Sequence, residues 1–167
     1  MKPSLFLLCA SWIILGTATP TLGSNEPLRK ELKSLYGKLA DRGKHKDVAA
    51  YMELNAPDYH VVLLNGDSLS REQFEDGMQR FFSSRLFVRQ LDLDYKIKEV
   101  TATPDGAVVL VEQRDERVQI QHDGKPHHVK SHVLHRDTWA RTAEGLRRRA
   151  TLELRETKYR VDGEIEE

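Results

Sequence analysis

His135, Asp137 and Trp139 stand two residues apart in a stretch rich in Val, Thr and Leu. If that stretch is a strand, side chains alternate with period two, so the three share one face. A histidine beside a carboxylate is a proton donor and acceptor tunable towards neutral pH. An indole next to it would give the wall of an apolar pocket. The face is expected to look inward, because it carries the larger ring and leaves Arg136 to solvent; the opposite set, Leu134, Arg136, Thr138 and Ala140, is smaller and mixed. On that reading Trp139 walls a cavity and Asp137 supplies one fixed polar group. Ligand binding then quenches Trp139, and Asp137→Asn weakens binding without unfolding the protein. The alternative is a structural or solvated charge pair. Tyr95, Glu153 and Tyr59 fall in strand-like segments and are further candidates to line a ligand site, each otherwise an ordinary sheet residue.

Other chemistries find less support. His127, His128, His132 and His135 lie close together, but on a strand His128 and His132 would line up while His135 points the other way. No cysteine stands among them and no regular ligand spacing appears, so no metal site and no cofactor are expected. No serine sits in a nucleophile elbow, and no glycine-rich phosphate loop is present. Lys plus Arg and Asp plus Glu each number 26, so nothing favours a nucleic-acid partner. The run Arg147-Arg148-Arg149 reads as a solvated strand face.

The elements that must position these residues follow a leader. Lys2 precedes the apolar run Leu5–Leu15, and small residues follow, with Ala18 or Gly23 as cleavage positions. These are the parts of a secretory signal peptide, and the run is short for the roughly 20 apolar residues of a spanning helix. Residues 1–23 are therefore expected to be a signal peptide, 24–162 one domain and 163–167 a frayed tail. The protein is expected to be exported, periplasmic or secreted, with no membrane partner after signal removal. The single cysteine, Cys9, falls inside the leader, so the domain holds its fold by its core alone.

Leu28, Leu32, Leu35, Tyr36 and Leu39 recur at helical spacing, predicting a helix over 26–42 with Pro27 in its first turn and Gly43 at its end. A second helix is predicted over 47–54, capped by Asp47 and stopped by Pro57. Residues 59–64 read as a strand, followed by an Asn65-Gly66 hairpin turn with both residues at positive φ. Ser70 and Gln73 form a capping-box pattern opening a third helix, with Phe74, Met78, Phe81 and Phe82 on one face. From about Ser84 the chain turns to Val, Ile, Thr and Tyr, punctuated by Asp105-Gly106, Asp123-Gly124 and Glu144-Gly145. The segments 107–122, 125–143 and 146–161 are long enough that a straight strand would reach roughly 50 Å. A domain of this size has a radius of gyration of only about 15 Å. The strands must bend through bulges.

The order of these pieces resembles a known family. An opening amphipathic helix leads to Asn55-Ala56-Pro57-Asp58-Tyr59 and the first strand. Asn65-Gly66-Asp67-Ser68-Leu69-Ser70 then precedes a helix, and Arg136-Asp137-Thr138-Trp139-Ala140-Arg141-Thr142-Ala143-Glu144-Gly145-Leu146 crosses the last hairpin. Over about 26–162 this is similar to the nuclear transport factor 2-like superfamily, of the SnoaL-like kind, although many members carry Trp where Leu146 stands. The resemblance implies an α+β fold in which helices pack on a strongly curved, long-stranded antiparallel sheet, a cone-shaped half-barrel with a pocket. It also implies a homodimer, here through an outer sheet face carrying residues such as Val109 or Val111. The family's members include ketosteroid isomerases, scytalone dehydratase, polyketide cyclases and binding proteins. Its lyases and isomerases use a pocket His and Asp, which falls on His135 and Asp137, and a carboxylate near the start of the first strand, which falls on Asp58. The reading of the sequence is an exported domain that binds an apolar or amphipathic small molecule. Its alternatives are an isomerase, dehydratase or cyclase using a His/Asp pair, and a dimerisation or interaction module.

Overall fold

A computed structural model of the chain describes residues 25–160 and 165–166; the expected leader lies outside the described residues. The first helix, α1, is Glu26–Lys44, with Pro27 in its first turn. Leu32, Tyr36, Leu39 and Ala40 form its buried stripe, while Leu35 is only half-buried at its margin. Gly43 lies within the helix rather than beyond its end. A side chain there would collide with Leu93, so this glycine serves a close approach to the sheet. The chain reverses instead at Lys46, whose φ is 57°. Asp47 then caps the short helix α2, Val48–Glu53, by accepting from the Ala50 amide at 3.0 Å.

The first strand, β1, Asn55–Val62, starts at once, so Pro57 lies inside a strand instead of stopping a helix. Pro57 falls in the irregular stretch between Asn55 and His60 where the register with its neighbour shifts, so its missing N–H interrupts no regular ladder. The loop 63–67 holds only one of the two positive φ values expected, at Gly66 (φ 88°). The Gly66 amide donates to Leu63 O and the Leu63 amide to Asp67 O, the pattern of a three-residue loop closed by a glycine bulge. Strand β2, Ser68–Ser70, runs into helix α3, Arg71–Ser83, through the capping box of Ser70 and Gln73.

Four long strands follow: β3 Phe87–Thr103, β4 Gly106–Ile120, β5 Pro126–Thr142 and β6 Gly145–Arg160. With β1 and β2 they form a sheet in the order β2-β1-β6-β5-β4-β3. The long strands pair antiparallel, as expected, and the sheet as a whole is mixed, because β1 pairs with β6 in parallel. Residues 165–166, read as tail, pair with β6 as a short strand β7, Ile165–Glu166. Among the described residues no helix is long and apolar enough to cross a membrane.

The curvature comes from bulges at defined places. On β6 the register with β5 shifts between Arg148 and Ala150 and again between Glu153 and Arg155. Each extra residue changes which parity faces inward, so Leu146 and Arg148, then Thr151 and Glu153, then Glu156 point to one side. Strand β3 shifts three times against β4, and its inward residues run Phe87, Gln90, Leu93, Tyr95, Ile97 and Val100. Strand β5 carries no extra residue, so its alternation is unbroken from Ser131 to Trp139. The concave face buries Val109, Val111, Trp139 and Leu146 against Leu32, Tyr36 and Leu39 of α1 and Val48, Tyr51 and Met52 of α2. Val109 and Val111 thus belong to the core and not to the outer face expected of them.

Candidate functional site

Helix α3 does not seal the concave face. Between it and the sheet lies a cavity of about 300 Å³, at the lower end of typical ligand sites. Phe74, Met78 and Phe82 of α3 form one wall, with Val61, Leu93 and Val133 of the sheet facing them. Phe81, expected to pack inward with these, is 40 % exposed at the rim, tilted against Phe82 and edge-on to Phe87. The outer part of the cavity is polar, with Gln90, Asp115, Arg117, Ser131, Glu153 and Glu156. Arg117 pairs with Asp115 there, and Gln90 Nε2 donates to Asp115 at 2.7 Å. The inner end is where the titratable groups converge.

His135, Asp137 and Trp139 share the inward face of β5, and none is more than 2 % exposed. His135 lines the cavity, and Asp137 lies behind it with its Oδ1 3.0 Å from His135 Nδ1. Tyr36 donates to Asp137 Oδ2 and Thr151 to Oδ1, both at 2.7 Å, and the Arg148 guanidinium stands 3.6 Å from Oδ2. Burial pushes the Asp137 carboxyl up. The opposing pull of His135, Arg148 and these hydrogen bonds is greater, and its pKa falls to about 2. Asp137 is therefore a carboxylate and can only accept, which fixes the proton of a neutral His135 on Nδ1. Nε2 then carries the lone pair, and this buried nitrogen has no hydrogen-bond partner among the described residues.

Trp139 does not wall the cavity. It lies deeper, donating from Nε1 to the Tyr36 hydroxyl at 3.1 Å with its ring edge-on to Tyr36. Asp58 does not reach the cavity either. Tyr59 takes the inward position on β1, and alternation sends Asp58 outward, where it pairs with Arg149 Nε at 2.6 Å. Tyr59, Tyr95 and Glu153 all line the cavity. Tyr59 bonds Thr151 Oγ1 at 3.0 Å; because the threonine proton goes to Asp137, Tyr59 is the donor. Burial, ahead of every other influence, raises the pKa of Tyr59 and of Tyr95, so both remain phenols. The clustered histidines separate: His128 and His132 take the opposite face of β5 from His135, and His127 pairs with Asp123 at the turn. Among the described residues no three metal-ligating side chains group together.

Arg148 is the residue that sequence reasoning misplaced. Read as part of a solvated run, it is 2 % exposed. Its Nε donates to Asn55 Oδ1 and an NH2 to the Tyr51 hydroxyl, both at 2.9 Å, and its guanidinium lies over the rings of Tyr51 and Tyr59. The signal was Leu146, two residues before it on the same strand face. Tyr36, Tyr51 and Thr151 were also missed as site residues, since the helical stripe explained both tyrosines as core.

The profile of the SnoaL-like domain matches residues 32–160. No functionally curated protein matches the chain. Among solved structures, the Kfla4162 protein of Kribbella flavida is similar at a TM-score of 0.61 and 18 % identity, covering 78 % of this chain and 91 % of its own. Aln2 from a Streptomyces species gives 0.55 and 19 %, covering 77 % and 91 %. A protein of Streptomyces avermitilis described as a candidate dehydratase of the NTF2-like family gives 0.56 and 11 %, covering 78 % and 97 %. At these identities the likeness is one of fold. With the profile spanning most of the chain and the helix-covered curved sheet agreeing, the protein belongs to the SnoaL-like family.

Proposed function

We propose that this protein is a cofactor-free acid–base catalyst of the isomerase, dehydratase or cyclase type, acting on a small amphipathic molecule in the cavity above His135. The observation that carries this reading is His135 in the cavity lining, its Nδ1 held by a carboxylate and its buried Nε2 without a hydrogen-bond partner among the described residues. A buried Asp–Arg pair contributes little stability compared with an apolar replacement. Its expense is understandable if it keeps the imidazole in one tautomer and stabilises the imidazolium once a proton arrives. The apolar wall of Phe74, Met78 and Phe82 suits a hydrocarbon body, and the polar rim suits a hydrophilic end. The SnoaL-like fold serves ligand-binding proteins and some enzymes, and convergent His and carboxylate groups favour the second.

The reading includes export, supported by the leader-like first residues, and a homodimer formed through the outer sheet face. To test the catalytic part, native mass spectrometry of the purified protein identifies what co-purifies, and that compound is incubated with the protein in deuterium oxide. Wild type is expected to convert it or exchange one of its protons. His135→Gln should still bind and should lose about 10²-fold or more of the rate. Equal exchange by His135→Gln would remove His135 as the base, and no conversion or exchange by wild type would leave a binding domain.

A further inference from the structure

Helix α3 divides by charge along its length. Glu72, Glu75 and Asp76 stand in its first half and Arg80 near its end, where the chain turns through Arg85 into β3. At that corner three large apolar side chains are exposed together: Phe81, Leu86 at 60 % and Val88 at 45 %. Phe87, between the last two, is buried, and its ring meets that of Phe81 at 5.0 Å, so the three surround one fixed anchor. Val88 stands where the register of β3 with β4 shifts, between Phe87 and Arg89, on the edge strand of the sheet. Leu86 O accepts from the Ile120 amide at 2.7 Å, which ties the corner to the β4–β5 turn. Cations ring this patch. Arg80, Arg85 and Arg89 are exposed, without an ion-pair partner among the described residues. Lys46 lies over the Phe87 ring at 4.6 Å, and Lys125 stands exposed on the β4–β5 turn. The neighbouring acids are engaged, Asp123 by His127 at 2.9 Å and Asp92 by Lys44 at 2.7 Å. In a chain with 26 acids and 26 bases, this is a local excess of positive charge set around exposed hydrocarbon.

We propose that this corner docks on an anionic lipid bilayer, with Phe81, Leu86 and Val88 in the boundary between headgroups and acyl chains and Arg80, Arg85 and Arg89 on the lipid phosphates. A nucleic acid would satisfy the arginines and leave Leu86 in water. A bilayer surface offers hydrocarbon directly behind negative charge, which is what an apolar patch ringed by arginines fits. The contact is peripheral, since no described helix is long and apolar enough to cross a membrane. Such a surface departs from the absence of a membrane partner expected from the sequence. Each arginine near an anionic surface strengthens binding about fivefold, and the effect fades within a Debye length. Three arginines then give roughly a hundredfold, too little for firm attachment, so the apolar side chains are needed as well. Phe81 belongs both to the patch and to the cavity lining, so docking sets the rim of the cavity against a store of amphipathic molecules. That last link rests on the reading of the cavity as a site for an amphipathic substrate; the docking itself does not.

The test is co-sedimentation with vesicles of phosphatidylglycerol and phosphatidylcholine in equal parts, against vesicles of phosphatidylcholine alone. Wild type is expected to bind the mixed vesicles at least about tenfold more tightly. Arg85→Gln with Arg89→Gln should weaken that binding by about tenfold or more. Leu86→Ser with Val88→Ser should weaken it by about tenfold, although no charge changes. These four side chains lie outside the cavity and the core, and circular dichroism checks that both double variants fold. His135→Gln should bind vesicles as wild type does, so docking and catalysis succeed or fail separately. No binding to the mixed vesicles overturns the proposal. Binding unchanged by both double variants belongs to another part of the chain, such as the apolar run Leu5–Leu15 where it is retained, and overturns it too. Loss with the arginine pair alone would leave a site for soluble polyanions and no membrane contact. A change of mass in sedimentation with Leu86→Ser and Val88→Ser, at unchanged vesicle binding, would assign the patch to a second copy of the chain instead.

Discussion

His135 has one ring nitrogen held and the other without a partner among the described residues, and the residue that holds it governs much of the behaviour around it. Asp137 accepts from Tyr36 and Thr151, contacts His135 Nδ1 and faces Arg148. An asparagine there keeps one acceptor and sets two N–H donors against groups that also donate, leaving Arg148 buried without its counter-charge. Asp137→Asn is thus not the clean probe of binding that the strand pattern alone suggests; its expected cost is about 3–5 kcal/mol. The pH dependence follows from the sign of the shift. The folded carboxyl titrates at about 2, below the ordinary aspartate value of about 4. Its contribution is fully present above about pH 4 and is lost as the pH falls through about 2. Urea unfolding between those values should show a falling midpoint in wild type and a shallower fall in Asp137→Asn; equal slopes would contradict the assignment. The shared face of His135, Asp137 and Trp139 was legible because β5 has no extra residue to break its alternation. Arg148 was not legible, because an arginine is rarely buried and its orientation depends on a bulge next to it.

At the scale of elements, the order of helices and long strands could be read from periodicity, turn residues and the Ser70 capping box. Bulge positions could not, because cross-strand pairing decides them and no residue type marks Arg149 or Leu154 as the extra one. The parallel pairing of β1 with β6 was likewise hidden, since it depends on where α1 and α2 set down the first strand. Fine placement within α1 shows the same limit. The stripe included both Leu32 and Leu35, yet Leu32 is 0 % exposed and Leu35 borders an outer groove with Leu54 and Leu146. The inward position next to Leu35 belongs to Tyr36. Leu32→Ala should therefore cost about 2–5 kcal/mol in urea unfolding, and Leu35→Ala clearly less. A larger loss for Leu35→Ala would mean that α1 is rotated on the sheet, and that Tyr36 does not reach Asp137.

For the molecule as a whole, the remaining question is what covers the convex side of the sheet. Helices occupy the concave side, where Val109 and Val111 are 0 % exposed. The outward residues of β4 are their neighbours Val108 and Leu110, both half-buried. Leu110 pairs with Arg136, which pairs with Leu152, so apolar and basic side chains form a row across three strands. Leu134 lies on the same face, and Leu152 and Leu154 are 36 % and 38 % exposed. An antiparallel face can stand in water when it is polar, but this one mixes leucines into the row, as a self-pairing surface does. A two-fold dimer through it would cover about 800 Å² on each partner if it is of ordinary size. Sedimentation equilibrium at micromolar concentration should give twice the monomer mass. Leu152→Lys should shift it towards monomer without lowering the urea midpoint, because that side chain lies outside the core. A monomeric wild type would remove the outer face as an interface and leave the cavity chemistry untouched, since every residue assigned to that chemistry comes from one chain.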